Sequence, residues 1–457
     1  MMKMDSHNKY LRALGARILS EANDLKRTTE ALAAELDLDL DLVKAVIAGQ
    51  ADETAAHDIL HAMVQHYPVS LADIWMEPDD TDDGVRIVTA DQSETSKRVF
   101  ERMGRDGNLT PYYEYRDSAM SSTAPFKPEW IKELRVVGDR DPYNRDVAYN
   151  HGHLMHQITF FIGPVNFYWD IDGERHCTEL NTGDSNYITP FVPHSFTSRD
   201  SSNLGLIMAV TYGGEVRRSL SDFARIDAES MDGLVADPRN ADQAFVELLA
   251  RHAAAETLTK NQLVERLIGS GIKESRANTL INEGGASFEE ISAIADVMLI
   301  RPQDLMVPSL TVSEEVVVQR GAQTSPRCYP NDNRPAYEMI ELARTRHQPY
   351  LKGFDLSILG SSEGNMRHSL HEYIYNYGEV PVNLLWGKNR IVQLAPGDSA
   401  YVRPMTEHRF DLVENSRKGN LLMIRIPGGL NGSVVSEFSA FSAQGRRRVF
   451  EETQQWF

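Results

Sequence analysis

The chain has 457 residues, a formal net charge of −19, 41% hydrophobic residues and two cysteines, Cys177 and Cys328. That length allows several domains, no apolar run is long enough to cross a bilayer, and the acidic excess speaks against non-specific attraction to nucleic acid or anionic membrane. Two distant cysteines make neither a disulfide framework nor a cysteine-rich metal site. With an N-terminus that lacks the apolar core of a secretory signal, they lead us to expect a cytoplasmic protein.

Helical spacing dominates from Leu11 to Trp75, where Ile18, Leu25, Leu32 and Leu36 recur at helix-like intervals. A break at Asp37 to Asp41 precedes a second run from Leu42, and Pro68, Leu71 and Ile74 close a module of helix-turn-helix type. Asp79-Asp80-Thr81-Asp82-Asp83-Gly84 reads as an acidic, turn-rich linker, after which strand-like runs dominate to about Gly214. Helices return from Ala244 to Leu305, with the same ending at Pro302 and Leu305, and strand-like sequence resumes at Leu310. The expected domains are a helical module over 1–80, a β-barrel over 81–235, a second helical module over 236–309 and a second β-barrel over 310–457.

The repeat is sharpest in two short stretches. Gly183-Asp184-Ser185-Asn186-Tyr187-Ile188-Thr189-Pro190 with His194 is echoed by Gly397-Asp398-Ser399-Ala400-Tyr401-Val402-Arg403-Pro404 with His408. Pro164-Val165-Asn166 through Trp169 is echoed by Pro381-Val382-Asn383 through Trp386. The period is that of a duplicated two-module unit, far longer than a solenoid repeat.

A histidine, a polar residue four positions on and a distant histidine after a Gly-Asp turn suit one metal ion on the inner wall of a small barrel. Positions i and i+4 of a strand share a face, so His153 and Gln157 are expected to converge, and a pairing strand brings in His194. Matching the repeats sets His368, Glu372 and His408 opposite them, a two-histidine, one-carboxylate set and a second candidate metal site. Both sets have plainer readings: a core histidine pair with a hydrogen-bonding Gln157, and degenerate ligands kept as polar packing groups. The second barrel is expected to be degenerate or structural, and a working site at His368, Glu372 and His408 is the competing placement. His151, His156 and His371 read as surface or outer groups, and His176 as solvated.

A neutral Gln157 in place of a carboxylate leaves a metal centre one unit more positive, which favours an anionic substrate. Upstream, Arg105-Asp106-Gly107 and Tyr112-Tyr113 supply a guanidinium and phenols, and arginine is the natural bidentate partner of a phosphate-like group. On their own, Arg105 reads equally as a surface turn residue and Lys26 as a solvated lysine.

At these residues the chain resembles the phosphonate-processing non-haem iron dioxygenases, a family that includes hydroxyethylphosphonate dioxygenases and methylphosphonate synthases. One repeat at a time, it is also similar to hydroxypropylphosphonate epoxidase. The likeness spans nearly the whole chain and is most specific at Asn150-x-Gly152-His153, at Gly183-Asp184-Ser185 with Pro193-His194, and at Arg105-Asp106-Gly107 with Tyr113. It implies an α+β, mostly β fold: a tandem repeat of a helix-turn-helix-like module followed by a cupin (double-stranded β-helix) barrel. It implies Fe(II) on His153, Gln157 and His194, and phosphonate contacts from Arg105, Tyr113, Asn150 and Lys26. Arg425 is a further candidate, reaching across from the second barrel.

In the hydroxyethylphosphonate dioxygenases a glutamate ligand precedes the second histidine by six positions, and here that position is Ile188. The His-x-x-x-Gln pattern of His153 and Gln157 matches the synthase branch instead. The resemblance therefore implies cleavage of the carbon–carbon bond of 2-hydroxyethylphosphonate by O2 to methylphosphonate and carbon dioxide or bicarbonate. The substrate would supply all the electrons, with no 2-oxoglutarate or reductase. The sister outcome is hydroxymethylphosphonate and formate.

The rival class is a ligand-sensing transcription regulator, because the same layout serves regulators. A DNA reader displays Lys and Arg at its recognition helix, whereas the first module offers Asp37, Asp39 and Asp41 around Lys44, and the second mixes Lys273 and Arg276 with Glu274. The expected partners are a small phosphonate and O2, with no nucleic acid and no membrane; a homo-oligomer is left open.

Overall fold

The computed structural model describes residues 2–307, 315–331, 333–360, 364–413 and 418–457, with side chains from residue 7 onward. The expected boundary at 309/310, and the strand start at Leu310, lie outside the described residues. The chain is a mixed helix and sheet protein whose sheets, among the described residues, pair their strands antiparallel.

The first helices are Met2–Asp24, Thr29–Glu35, Leu40–Ile47, Glu53–His66 and Leu71–Ile74. Thr28, Asp39 and Asp52 cap three of them, each side chain accepting a backbone N–H three residues on. Their apolar faces meet at Leu14, Ile18, Leu32, Val43, Val46, Ile59, Leu60 and Met63, all buried. A second cluster, Ala241–Ala255, Lys260–Gly269, Glu274–Glu283 and Phe288–Met298, packs around Leu249, Leu267, Leu280 and Ile294. Asn240, Thr259 and Ser287 cap it in the same manner. Among the described residues no helix is long and apolar enough to cross a membrane.

Two seven-stranded sheets follow the same plan. The first runs Val316–Gln319, Ser185–Ile188, His156–Ile162, Leu206–Tyr212, Phe126–Glu133, Leu109–Asp117, Arg98–Met103. The second runs Val85–Val88, Ser399–Val402, His371–Tyr375, Gly419–Ile426, Lys352–Ile358, Tyr337–Glu341, Arg327–Tyr329. Each is faced by a three-stranded sheet: Glu174–Leu180, Val165–Ile171 and His194–Ser198 in the N-terminal half, Arg390–Leu394, Val382–Trp386 and His408–Leu412 in the C-terminal half. Phe161, Phe167, Ile188 and Phe196 fill the first interior and Leu356, Ile374, Leu384 and Phe410 the second. Each such side chain contributes roughly 1.5–3 kcal/mol when fully buried.

The outer strand of each seven-stranded sheet comes from the other half of the sequence. Val85–Val88 pairs with Ser399–Val402, and Val316–Gln319 pairs with Ser185–Ile188. A third core joins the halves, with Ile158, Phe160, Tyr187 and Met208 packed with Tyr373, Tyr401, Leu422 and Ile424.

Candidate metal centre

The segment before strand His156–Ile162 and the turn before strand His194–Ser198 are bound to each other. Asn150 N–H donates to His194 O (3.0 Å), Phe191 N–H donates to His153 O (2.9 Å), and Asn150 Oδ1 accepts from Gly152 N (3.0 Å) and His194 N (2.9 Å). The contact needs a glycine. Gly152 has φ +70, and a Cβ there would lie 2.4 Å from the carbonyl carbon of Phe191.

His153 stands in this connecting segment, ahead of the strand that carries Gln157. A shared strand face is therefore not what brings the two together. The bend at Leu154-Met155 does so, leaving His153 Nε2 3.3 Å from Gln157 Oε1. The Gln157 amide nitrogen donates to Thr159 Oγ1 (2.9 Å), which turns Oε1 towards the histidine. His194 Nδ1 faces the Val192 carbonyl (2.8 Å), so Nδ1 carries the proton and the ring lone pair is on Nε2. The two rings are 5.3 Å apart at 89°. Burial, and to a lesser degree His153 beside it, push His194 down to about 4 against the opposing pull of the Val192 carbonyl, which keeps it neutral. Two imidazole nitrogens and one amide oxygen thus converge, a donor set that accommodates one divalent ion such as Fe(II).

These three residues form one end of a cavity of about 230 Å³. Its other walls are Arg102, Tyr113, Tyr115, Glu129, Ile131, Ala148, Asn150 and Phe196. Asn150 Nδ2 lies 3.1 Å from His194 Nε2, so this amide sits beside the convergent donors. Tyr113 lines the cavity with its ring, but its hydroxyl accepts from Phe196 N (3.0 Å) and meets Ser195 Oγ at 3.2 Å. Arg102 Nε is buried and has no hydrogen-bond partner. Burial raises the carboxyl of Glu129, only partly offset by Arg98.

Arg105 and Lys26 are not in this lining. Arg105, 58% exposed, forms an ion pair with Asp146 at 2.5 Å. Lys26, 66% exposed, donates to the backbone oxygen of Asp24 and lies 5.8 Å from the ring centre of Trp456. Sequence reasoning missed Arg102, Tyr115 and Thr159. Tyr115 was accessible to it, since strand alternation places it on the same face as Tyr113. His156, read as a surface or outer group, is half-buried and meets Tyr187 Oη at 2.7 Å; His371 meets Tyr401 Oη at the same distance.

In the C-terminal half, His368, Glu372 and His408 also converge. Arg425 stays in its own half, its Nε donating to Glu372 Oε2 at 3.0 Å. Burial opposes ionisation of Glu372, but Arg425 first, then His408 and His368, hold its carboxyl well below the usual range. Strand register sets Arg425 across from Glu372 where the N-terminal half sets Thr211 across from Gln157.

No family model matches the chain. Among proteins of known activity it is 37% identical to the methylphosphonate synthase of Nitrosopumilus maritimus (strain SCM1), over 98% of this chain and 96% of that one. Among solved structures it is similar to Streptomyces albus HEPD with 2-hydroxyethylphosphonate and Fe(II) bound, with 34% identity, a TM-score of 0.86, and coverage of 98% of this chain and 99% of that one. PhpD with cadmium, complexed with HEP, shares the fold at 19% identity and a TM-score of 0.73, over 95% and 99% of the two chains. Fold and likeness together define an oxidoreductase of the non-haem iron dioxygenase class. Within that class, the chain belongs to the family of methylphosphonate synthase and 2-hydroxyethylphosphonate dioxygenase.

Proposed function

We propose that this chain cleaves 2-hydroxyethylphosphonate with O2 at an Fe(II) ion held by His153, Gln157 and His194, and releases methylphosphonate and carbon dioxide or bicarbonate. The observation that carries the reading is Gln157. Its Oε1 faces His153 while Thr159 fixes its nitrogen, and the residue paired with it across the sheet is the apolar Ile188. The protein ligands are therefore all neutral, and nothing on the neighbouring strand replaces the missing carboxylate. Bound Fe(II) supplies the one-electron chemistry that O2 requires.

The chain's own residues do the rest. Arg102, with its unpartnered Nε in the cavity wall, and Tyr115 bind the phosphonate oxygens. Asn150 holds the backbone of His194 through Oδ1, and its Nδ2 donates to the bound anion. Tyr113 ties strand Leu109–Asp117 to Ser195 and Phe196, fixing the wall rather than the ligand. Ile131, Ala148 and Phe196 keep water from the reacting carbon. Arg105 and Lys26 have no part in this reading.

The finer architecture belongs to the same proposal: helix-turn-helix-like modules over 1–80 and 236–309, each followed by a cupin barrel, 81–235 and 310–457. Matching strand orders and similar helical caps support it.

The test is phosphorus NMR of 2-hydroxyethylphosphonate treated with anaerobically reconstituted Fe(II) protein and O2. Methylphosphonate is the expected product. Gln157→Ala is expected to abolish turnover, whereas Glu372→Ala leaves the product unchanged. Hydroxymethylphosphonate as the main product would move the chain to the sister activity. Loss of turnover in Glu372→Ala alone would move the working site to the C-terminal half.

A further inference from the structure

We infer that the C-terminal half holds a second divalent transition-metal ion on His368, Glu372 and His408, which staples its two sheets together and takes no part in turnover. Glu372 lies on strand His371–Tyr375 of the seven-stranded sheet, and His408 opens strand His408–Leu412 of the three-stranded sheet facing it. His368 stands in the segment that leads into Glu372's strand. An ion shared by the three bridges both layers.

Three observations carry this. Glu372 Oε1 and His408 Nε2 are both buried and without a hydrogen-bond partner, and they face each other at 3.5 Å. His408 Nδ1 is 3.0 Å from the Thr406 carbonyl and so carries a ring proton, which makes Nε2 of the neutral ring an acceptor facing the carboxylate acceptor. Two buried lone pairs pointed at each other are costly unless a cation lies between them. Second, His368 repeats the pattern: Nδ1 is 3.1 Å from the Leu370 carbonyl, and Nε2 turns inward to Glu372 Oε2 at 2.5 Å. A backbone carbonyl that fixes the tautomer and directs the other nitrogen inward is the usual outer support of a metal-binding histidine. Third, the 3.5 Å separation fits the edge of about 3.4 Å between donors of a tetrahedral ion with bonds of ~2.1 Å. The 2.5 Å pair has to open by less than an ångström to reach the same edge.

Arg425 does not fill this place. Its Nε takes only Oε2 of Glu372, while Nη2 lies against the sulfurs of Met366 (3.1 Å) and Met423 (3.7 Å). It supplies the counter-charge that lets a carboxylate be fully buried and holds its plane, as outer partners of ligating carboxylates do. Glu372 and His408 are sealed, and His368, with a side chain 18% exposed, is the route by which an ion enters. Two imidazoles and a carboxylate accept Fe(II), Co(II) or Zn(II).

The test is titration of the chelator-stripped, full-length chain with Co(II), read as metal per chain and by its visible absorption. Two equivalents are expected. H153A/H194A is expected to keep one equivalent and to gain thermal stability on binding it, and adding H368A/H408A to that variant to remove it. If H368A/H408A does not fold, E372Q, which keeps the shape and loses the charge, weakens the remaining site at least tenfold. One equivalent in the wild type, together with none in a folded H153A/H194A, would overturn the inference. Product analysis of the wild type separately decides the N-terminal site, so the two readings fail independently.

Discussion

Arg102 and Arg105 stand three residues apart on one hairpin and do different work. Arg102 is the penultimate residue of strand Arg98–Met103 and lines the cavity, its Nε buried and without a hydrogen-bond partner, whereas Arg105 sits in the turn and pairs with Asp146. The Arg-Asp-Gly sequence draws attention to Arg105, whereas Arg102 belongs to a strand whose pairing shifts register between Phe100 and Glu101, Tyr112 being the extra residue on the partner strand. A bulge of that kind leaves no mark in the residue pattern. Charged hydrogen bonds to a bound anion contribute about 1.5–3 kcal/mol. Arg102→Ala is therefore expected to raise KM for 2-hydroxyethylphosphonate roughly 10- to 100-fold, and Arg105→Ala to change it less than about threefold, as fits a surface ion pair. Steady-state kinetics of the two variants check this, and the reverse order would return the anion contact to Arg105. The convergence of the candidate metal ligands was easier to read. His153, Gln157 and His194 follow from spacing and repeat, although the bend at Leu154-Met155, and not strand periodicity, is what joins the first two.

At the scale of elements, the Gly-Asp-Ser turns were visible in the sequence as a repeat, but their work was not. Asp184 accepts from Asn181 N (2.9 Å) and, across the molecule, from Gly321 N (3.0 Å) and Arg320 Nη1 (3.1 Å). Asp398 accepts from Ala395 N (2.8 Å) and from Ala90 N (2.7 Å). The serines behind them do likewise: Ser185 Oγ accepts from Ala343 N and Ser399 Oγ from Ala119 N. Each turn therefore clasps the segment beside the strand that the other half contributes. Such partners lie more than 130 residues away, and no local pattern specifies them. Asp184→Ala leaves two backbone donors and a guanidinium short of an acceptor at a site only 6% exposed. The expected loss is about 3 kcal/mol, read from urea denaturation, while Asp200→Ala at an exposed turn should cost under about 0.5 kcal/mol. Equal losses would mean that the clasp contributes nothing beyond its own turn.

At the scale of the whole molecule, the helical runs could be placed from hydrophobic spacing and the strand-rich stretches from alternation and turn residues. Which edge strand completes which sheet could not, because Val85–Val88 and Val316–Gln319 are short apolar strands of similar character, each fit to cover either sheet. The exchange has an energetic consequence. Unfolding one half strips a strand from the other, exposes the edge of Ser185–Ile188 or Ser399–Val402, and uncovers the shared core around Phe160, Tyr187, Tyr373 and Tyr401. Neither half then keeps enough burial to stay folded alone, since net stability is only about 5–15 kcal/mol against far larger opposing terms. The chain is expected to melt in a single transition. Asp398→Ala, whose partners Ala395 and Ala90 do not line the N-terminal cavity, should lower that transition as a unit, by about 2–3 kcal/mol. Hydrogen exchange then distinguishes shared from separate stability. In Asp398→Ala the amides of strand His156–Ile162 should lose protection together with those of His371–Tyr375, in proportion to the global loss. If only the C-terminal strand lost protection, the two halves would be independent units and the exchanged strands mere decoration of their edges.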